Sequence, residues 1–358
     1  MTRIFFLINS LENSGGTERV STLLANHLSS IPGVEVTFCT LLNSGKPFFS
    51  LSPAVSIERI SNEKDRYRMW RYPVYIAHLR ELVKRYRPRW IIDVCSAMSL
   101  LSIPACAGTG CRVITWEHFN TSVTWNGFTA PLARRLASEY ASTIVTLTQR
   151  DVESYRSKYG ARHVTCIPNP VTLTDVHPSD LSVKTVLSVG RLSHQKGFDM
   201  LLDAWSMTSC RNQGWQLHIV GDGEEHHALS ARIQAMGSDG NVTLHPSTTD
   251  ISRHYRNASI YVMSSRFEGM PLVLIEAMAH GLPAISFDCP NGPAEIIREG
   301  ITGHLIPPDD VAMLAQAIDR LASSPASLGE MSAMCVRESQ RYSPAKFFSS
   351  WEELLGLC

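Results

Sequence analysis

The chain has 358 residues, which is long for one domain and suits two. Its 44% hydrophobic content supports a large core, and its 33 basic and 33 acidic residues cancel, so the net charge does not point to nucleic acid as a partner. Charge is uneven along the chain, with 20 Lys+Arg against 13 Asp+Glu in residues 1–175 and 13 against 20 in residues 176–358, which predicts two domains with different partners.

Apolar, strand-like runs alternate with periodic, helix-like runs along the chain. The strands predicted in the first half are residues 3–8, 35–41, 90–94, 112–116, 143–147 and 164–167. The strands predicted in the second half are residues 185–189, 216–220, 242–244, 259–263, 284–287 and 304–306. The predicted helices are near 17–30, 73–87, 96–105, 130–141, 150–158, 197–206, 224–236, 249–257, 270–280, 293–299 and 309–323. Two consecutive strand–helix series predict an α/β protein with two doubly wound parallel sheets.

The polar stretch 168–184 is the predicted domain boundary. It divides the chain into residues 1–170 and residues 184–340, and we expect a C-terminal helix in 341–358 to pack back on the first domain. The apolar run at the start is too short for a signal peptide, and no run of about 18 apolar residues could span a membrane. The nine scattered cysteines are typical of thiols in a reducing compartment. We therefore expect a cytoplasmic protein.

Two motifs in the first half follow predicted strands. Gly15 and Gly16 after the first strand would let the backbone approach a phosphate, although a Gly-Gly turn is often only a tight strand–helix connection. His118, in Trp-Glu-His-Phe-Asn at the end of the fourth strand, could contact a sugar hydroxyl or assist proton movement. A structural hydrogen-bonding role for this histidine is the alternative.

Residues 63–90 hold nine Lys/Arg against three Asp/Glu, interleaved with six Tyr and Trp side chains. Basic residues mixed with aromatics suit both nucleic acid and an anionic membrane surface, of which we favour the membrane. An exposed amphipathic helix with ordinary solvated charges fits the pattern equally well.

In the second half, Gly190-Arg191-Leu-Ser-His-Gln-Lys196-Gly197 follows the first strand and places two cations before a helix. Such cations can bind phosphate oxygens, although solvated loop charges are the simpler interpretation. Asp222, in Gly-Asp-Gly-Glu after the next strand, could line a nucleotide pocket or only form a sharp turn.

Two carboxylates, Glu268 and Glu276, bracket a mostly apolar segment. We expect Glu268 in a loop at the carboxyl edge of a strand and Glu276 about two turns into a helix over residues 270–280. Ligands of open α/β sheets bind at that edge, and carboxylates there suit the hydroxyls of a sugar or ribose. Solvated glutamates on a helix are the alternative, but the apolar neighbours of Glu276 mean that its carboxylate needs a partner.

These motifs together resemble glycosyltransferase family 4, whose members are retaining GT-B enzymes. The resemblance rests on Ser188-Val-Gly-Arg-Leu, Lys196-Gly, Val220-Gly-Asp-Gly, the run from Ser264 to Pro283, and Gly303-His-Leu-Ile. The run Cys289-Pro-Asn-Gly-Pro-Ala-Glu-Ile-Ile is most similar to bacterial exopolysaccharide and O-antigen lipopolysaccharide transferases of the amylovoran type. The resemblance implies two Rossmann-like domains facing across a cleft, with the acceptor on the first and the nucleotide sugar on the second.

The resemblance also implies roles for individual residues. Arg191 and Lys196 would hold the donor diphosphate in place of a metal, Glu276 would accept from the ribose, and Glu268 would accept from the transferred sugar. Backbone groups of Gly269 and Met270 would approach that sugar, with Gly190, Asp222 and Leu272 also at the donor. Gly15 and Gly16 would lie under the diphosphate, and His118 would lie near the donor sugar and acceptor. No protein nucleophile, metal or cofactor is expected.

The resulting hypothesis is a retaining enzyme that moves a hexosyl unit from a nucleotide sugar, UDP-linked by expectation, to a growing bacterial surface glycan. The expected acceptor is a polyprenyl-diphosphate-linked oligosaccharide, reached by peripheral attachment to the inner face of the cytoplasmic membrane. A nucleotide-sugar epimerase on the same fold and a catalytically silent partner in a glycan assembly complex are the alternatives. The sequence leaves the sugar, the linkage and the oligomeric state open.

Overall fold

The computed structural model describes residues 1–42, 45–61, 69–121, 129–237 and 241–357. These residues divide into two compact units. Unit 1 comprises Met1–Asn169 together with the C-terminal residues from Ala345 onward, and unit 2 comprises Pro170–Pro344. None of the helices in the described part of the chain has the length and apolar character needed to span a bilayer.

Unit 1 contains a seven-stranded parallel sheet of order β3-β2-β1-β4-β5-β6-β7. Its strands are β1 Thr2–Ile8, β2 Val34–Thr40, β3 Val55–Arg59, β4 Trp90–Val94, β5 Arg112–Trp116, β6 Thr143–Thr146 and β7 Val164–Cys166. Its helices are α1 Gly16–Ser29, α2 Tyr72–Tyr86, α3 Ser99–Cys106, α4 Thr129–Tyr140, α5 Gln149–Tyr159 and, from the far end of the chain, α13 Pro344–Leu355.

Unit 2 contains a six-stranded parallel sheet of order β10-β9-β8-β11-β12-β13. Its strands are β8 Thr185–Val189, β9 Gln216–Val220, β10 Val242–His245, β11 Ile260–Met263, β12 Ala284–Phe287 and β13 Gly303–Ile306. Its helices are α6 Phe198–Met207, α7 His226–Ala235, α8 Ile251–Arg256, α9 Leu272–Ala279, α10 Pro293–Ile296, α11 Val311–Ala322 and α12 Pro325–Ser339.

The central strands form because both faces of each sheet are covered. Every residue of β4, β11 and β12 is buried, as expected for parallel strands between two helix layers. The sequence does not predict β3, because in this edge strand only Val55 is buried and the pattern of Val-Ser-Ile-Glu-Arg is largely polar. Nor does it predict α12, whose buried face includes Ser332 and Ser339 and therefore gives a weak apolar period.

Helix α13 packs within unit 1 although it lies at the other end of the sequence. The indole of Trp351 is fully buried, and its ring centroid lies 4.7 Å from that of Trp116. His27 Nε2 lies 2.6 Å from Glu352 Oε1, and the His27 ring stacks on Phe348. Unit 1 is thus built from two separate parts of the chain; Cys358, at the end of the expected helix 341–358, lies outside the described residues.

Candidate active site

The residues singled out in the second half lie on loops that leave neighbouring strands. β8 is central, with β9 on one side and β11 on the other. Gly190 follows β8, Asp222 lies just after β9, and Glu268 lies in the loop after β11. Because these strands are parallel, all three loops emerge at the same carboxyl edge of the sheet, where open α/β sheets bind ligands.

Lys196 and Glu268 meet directly at this edge. Lys196 Nζ lies 2.6 Å from Glu268 Oε1, and the two side chains are only 17% and 7% exposed. The ammonium can donate three hydrogen bonds and the carboxylate can accept about four, and their mutual contact takes one of the bonds that each group can make. The pair therefore presents a positive and a negative group side by side, with little water around either.

Gly197 is required for the contact between Lys196 and Glu268. It has φ +63, and a Cβ at this position would overlap the carbonyl oxygen of Ser264. The Ser264 hydroxyl donates to the carbonyl of Lys196, and the Arg266 amide donates to the carbonyl of Gln195. The loops after β8 and β11 are thus joined backbone to backbone, which holds Lys196 against Glu268.

Arg266 anchors the second of these loops. Its guanidinium binds the carboxylate of Asp199 in a two-point contact with distances of 2.9 and 2.6 Å, and it also donates to the carbonyl of His194. This contact holds the pKa of Asp199 below its usual range and raises that of Arg266. The sequence predicts no role for Asp199 or for Arg266, although Arg266 lies inside the family-like run from Ser264 to Pro283.

Arg191 is the most exposed of the candidate ligand-binding cations. Its Nη2 lies 3.2 Å from Glu224 Oε2, with the side chains 75% and 58% exposed. Such an exposed pair contributes little to stability, so a ligand anion can compete for the guanidinium. Gly223 supports this loop, because a Cβ there would overlap the carbonyl of Leu192.

Asp222 has partners within its own unit. Its Oδ2 accepts from the amide of Ser247 at 2.9 Å and from the Ser247 hydroxyl, and these bonds lower its pKa. Its carbonyl accepts from the amide of Leu192 at 2.9 Å. Asp222 therefore connects the loops after β8, β9 and β10. This is a structural role in the turn after β9, as distinct from a role in lining a nucleotide pocket.

Glu276 lies in α9 and is 2% exposed. Its Oε1 accepts from the Thr172 hydroxyl at 2.7 Å, and its Oε2 lies 3.2 Å from the Tyr255 hydroxyl. Neither hydroxyl was identified from the sequence, because Thr172 and Tyr255 lie far from Glu276 along the chain and outside the quoted motifs. The expectation that Glu276 needs a polar partner agrees with these two contacts.

The helix that carries Glu276 begins later than the sequence predicts. It starts at Leu272, not Met270, because Pro271 is the N-cap residue with extended backbone angles of φ −71 and ψ 110. Gly269 and Met270 consequently belong to the loop after β11. The Met270 side chain is buried there, and that of Leu272 is half-buried.

In unit 1, Gly15 is the N-cap of α1 and Gly16 is its first residue, so the glycine pair lies where the chain leaves β1. A Cβ on Gly15 would collide with the carboxylate of Glu18. That carboxylate accepts from Asn13 Nδ2 at 3.1 Å, and burial raises its pKa. A residue other than glycine at position 15 would therefore have to displace the Glu18 side chain.

His118 follows β5 and is buried against Trp116, with 4.4 Å between the ring centroids. Burial lowers its pKa to about 3, so the imidazole is neutral at physiological pH. Its Nε2 is buried without a hydrogen-bond partner among the described residues. A neutral imidazole with an unused nitrogen can donate or accept a hydrogen bond, but it does not supply a proton near pH 7.

A buried ion pair positions the His118 loop. Arg134 Nε lies 2.9 Å from Glu117 Oε2, and both side chains are completely buried. The Tyr155 hydroxyl donates to the same carboxylate oxygen at 2.7 Å, while Arg134 also donates to the carbonyls of Asn120 and Thr121. This network cannot be predicted from the sequence, in which only Glu117 stands beside the histidine.

Among the described residues 69–90, exposed basic and aromatic side chains lie at both ends of α2. Residues 63–68 lie outside the described residues. Trp70 is 74% exposed just before α2, whereas Lys84, Arg85, Arg87 and Arg89 are exposed at the other end of that helix. A helix of 15 residues is about 22 Å long, so these two groups are well separated.

Two parallel-sheet units, one of which gathers cations and carboxylates at the carboxyl ends of its central strands, define this chain as an α/β enzyme with the GT-B fold. The chain belongs to the family of glycosyl transferases group 1, whose family model matches residues 183–324. It is similar to an uncharacterized glycosyltransferase of Haemophilus influenzae, with 33% identity over 99% of this chain and 100% of that protein. It is also similar to the amylovoran biosynthesis glycosyltransferase AmsD of Erwinia amylovora, with 30% identity over 99% and 100% of the two chains.

More distant similarity extends to other glycosyltransferases. A Campylobacter jejuni N-acetylgalactosaminyltransferase, whose name specifies a PP-undecaprenol-linked substrate, is 26% identical over 89% of this chain and 88% of its own. Among solved structures, the lipopolysaccharide outer core galactosyltransferase WaaB superposes with a TM-score of 0.80 at 20% identity, covering 100% of both chains. Anabaena HepE in complex with UDP-glucose superposes with a TM-score of 0.80 at 18% identity, also covering 100% of both chains. The predictions of a glycosyltransferase and of the GT-B fold are thereby confirmed.

Proposed function

We propose that this protein is a retaining hexosyltransferase that uses a UDP-sugar and extends a lipid-linked glycan of a bacterial cell surface. The observation that supports the proposal most strongly is the contact between Lys196 and Glu268 at the carboxyl edge of the unit 2 sheet. It places a cation for a diphosphate beside a carboxylate for sugar hydroxyls. The name of AmsD supports a glycan product, and the name of the Campylobacter enzyme supports the lipid linkage. The HepE complex supports a UDP-sugar as the donor.

The donor diphosphate is assigned to Arg191 and Lys196. As the sugar–phosphate bond breaks, negative charge grows on the leaving UDP, and two preorganised cations stabilise that charge. Lys196 is the stronger candidate, because its partly desolvated ammonium interacts more strongly than the exposed Arg191 guanidinium. On this assignment the cations replace a divalent metal, and transfer continues in the presence of EDTA.

The two carboxylates are assigned to different parts of the donor. Glu276 accepts from the ribose hydroxyls, and Glu268 accepts from hydroxyls of the transferred hexose, with Gly269 and Met270 beside it. Glu268 is paired with Lys196 and therefore positions the sugar instead of attacking it. Retention then follows from attack on the face that UDP leaves, with the departing phosphate taking the acceptor proton.

In unit 1, the residues proposed for ligand contact are Gly15, Gly16 and His118. The low pKa of His118 refines its role, because a neutral imidazole can hydrogen-bond a sugar hydroxyl without exchanging a proton near pH 7. The unused Nε2 is the atom assigned to that bond.

We also propose that the protein contacts an anionic membrane through the start of α2, where Met69 and Trp70 are exposed beside Arg71. This end of α2 follows β3 and lies toward the carboxyl edge of the unit 1 sheet. Flotation with anionic liposomes tests the proposal. Replacing Met69 and Trp70 by Ser should reduce binding severalfold, and binding that is lost only when Arg85, Arg87 and Arg89 are neutralised would contradict it.

The assignment of the donor site is tested by Lys196→Ala and Glu276→Ala, each measured for transfer from a panel of UDP-, GDP- and ADP-sugars. Each variant should lose at least about a hundredfold in kcat/KM, which corresponds to roughly 2.7 kcal/mol of transition-state stabilisation. Arg232→Ala, which removes a cation on α7 outside these loops, serves as the control. Rates like those of the wild type in both site variants would overturn the assignment.

A further inference from the structure

The segment that opens unit 2 reaches the proposed ribose carboxylate. Thr172 Oγ1 donates to Glu276 Oε1 at 2.7 Å across 104 residues of sequence. We infer that Thr172 is a positioning residue for ribose recognition, which holds the Glu276 carboxylate in the orientation that accepts the ribose hydroxyls. The inference rests on the function proposed above and adds a residue to its donor site.

The chemistry of the carboxylate supports a positioning role. Its two oxygens together offer about four acceptor positions, and the single Thr172 hydroxyl occupies one of those on Oε1. The Thr172 bond restricts rotation of the carboxylate and so sets the direction in which its oxygens accept. A glutamate side chain loses rotamer entropy when it is fixed, so a carboxylate that is fixed before the nucleotide binds gains affinity.

Tyr255 gives weaker support to the same carboxylate. Its hydroxyl lies 3.2 Å from Glu276 Oε2, but it lies at the same distance from the carbonyl of Val273, and the hydroxyl has one proton to donate. The short bond from Thr172 is therefore the main restraint. Tyr255 keeps its ring in place by stacking on His280, with 4.9 Å between ring centroids.

Thr172 is itself held on both sides within unit 2. The preceding Val171 amide donates to the carbonyl of Tyr342 at 2.8 Å. Three residues after Thr172, Asp175 pairs with Arg256 of α8, the helix that also carries Tyr255. The hydroxyl is thus presented by a fixed segment, as a positioning residue requires.

The test compares affinities for a nucleoside diphosphate and for its 2′,3′-dideoxy analogue. The probe is whichever of UDP, GDP and ADP binds the wild-type protein most tightly, measured by calorimetry. Thr172→Val removes the hydroxyl at nearly constant volume and should weaken the normal diphosphate about tenfold, the loss of roughly 1.4 kcal/mol, while changing the dideoxy analogue less than about twofold. Thr172→Ser should restore binding, and Thr174→Val, at an exposed position two residues on, should leave it unchanged.

Kinetics give a second readout, in which Thr172→Val should raise the donor KM and leave kcat close to the wild-type value. Equal weakening of both probes would mean that Thr172 only stabilises the fold, and unchanged or tighter binding of the normal diphosphate would also overturn the inference. If the wild type transfers sugar yet does not distinguish the two probes, the ribose role fails while the proposed function stands. If the wild type binds none of the three diphosphates, both fail.

Discussion

The ion pairs of this protein differ widely in how far they are buried. The Glu117–Arg134 pair is completely buried, whereas Arg191–Glu224 and Arg3–Glu35 are open to water. Exposed pairs contribute about 0–1 kcal/mol, but removing one member of a buried pair leaves an uncompensated charge. The buried pair is also the one that holds the His118 loop.

Arg134→Ala should therefore lower the free energy of unfolding by about 3–5 kcal/mol, because Glu117 would remain buried without its cation. Urea unfolding followed by circular dichroism measures the change. Arg232→Ala removes a cation from the half-exposed pair with Asp203 and should cost no more than about 1 kcal/mol. If Arg134→Ala lost no more free energy of unfolding than Arg232→Ala, the buried pair would contribute no more to stability than a half-exposed pair.

Asp93 gives the stability of unit 1 a dependence on pH. It is fully buried at the end of β4, where Ser99 and Ser102 donate to its Oδ2 at 2.8 and 2.6 Å, and burial raises its pKa to about 7. Between about pH 4 and 7 the folded state keeps a proton that the unfolded chain has released, so the contribution of Asp93 to stability falls as pH rises through this window.

Asp93→Asn removes this titration and keeps an oxygen for the two serine hydroxyls. The variant should match the wild type near pH 4 and be more stable at pH 8 by about 2–4 kcal/mol, since the wild type has by then ionised a buried carboxyl. Denaturant unfolding at a series of pH values measures the difference. A difference that does not change between pH 4 and 8 would contradict the raised pKa.

At the scale of elements, the connection from β8 to α6 determines how closely Lys196 approaches Glu268. This connection needs a left-handed residue without a side chain at Gly197, because the loop after β11 passes directly against it. The glycine was visible in the sequence, but its close contact with Ser264 depends on β8 and β11 being neighbours in the sheet.

Gly197→Ala should displace the loops after β8 and β11. The free energy of unfolding should fall by about 2 kcal/mol or more, and the rate of transfer should fall at least tenfold. Gly214→Ala is the matched control, since Gly214 also has a positive φ of +85 but a Cβ there would meet open space. The control should cost only about 1 kcal/mol and retain activity. Thermal unfolding and transfer assays on both variants measure these effects. Equal losses of stability and activity in the two variants would show that close packing at Gly197 has no effect of its own.

Helix and strand boundaries also show what local sequence can determine. The predicted limits of β4, β5, β8, β9 and β12 agree with the structure, because these strands are apolar runs between clear turn residues. The edge strand β3 is not predicted, since only Val55 in it is buried and its pattern resembles that of a loop. Backbone pairing with the neighbouring strand β2, which the local sequence does not report, makes this segment a strand.

At the scale of the whole molecule, unit 1 depends on a helix from the far end of the chain. Trp351 of α13 is fully buried against Trp116 within that unit. Trp351→Ala should therefore cost about 3–5 kcal/mol and lower the unfolding temperature of unit 1 while leaving that of unit 2 unchanged. Scanning calorimetry of the full chain measures both transitions.

Trp70→Ala is the control for this prediction, because Trp70 is exposed and also lies in unit 1. Its removal should change neither transition by more than about 0.5 kcal/mol. If Trp351→Ala shifted the unit 2 transition instead, the assignment of α13 to unit 1 would be wrong.

The sequence by itself determined the class of fold, the membership of a glycosyltransferase family and the residue types that lie at the carboxyl edge of the unit 2 sheet. It could do so because apolar runs repeat locally and because the glycines, cations and carboxylates stand at the ends of those runs. Only the tertiary structure decided which side chains meet: Lys196 with Glu268 across 72 residues, Thr172 with Glu276 across 104, and α13 with unit 1. The physical reason is that local periodicity reports which face of an element is buried, whereas the partner of a polar group depends on the order of strands in the sheet, which brings distant loops to the same edge.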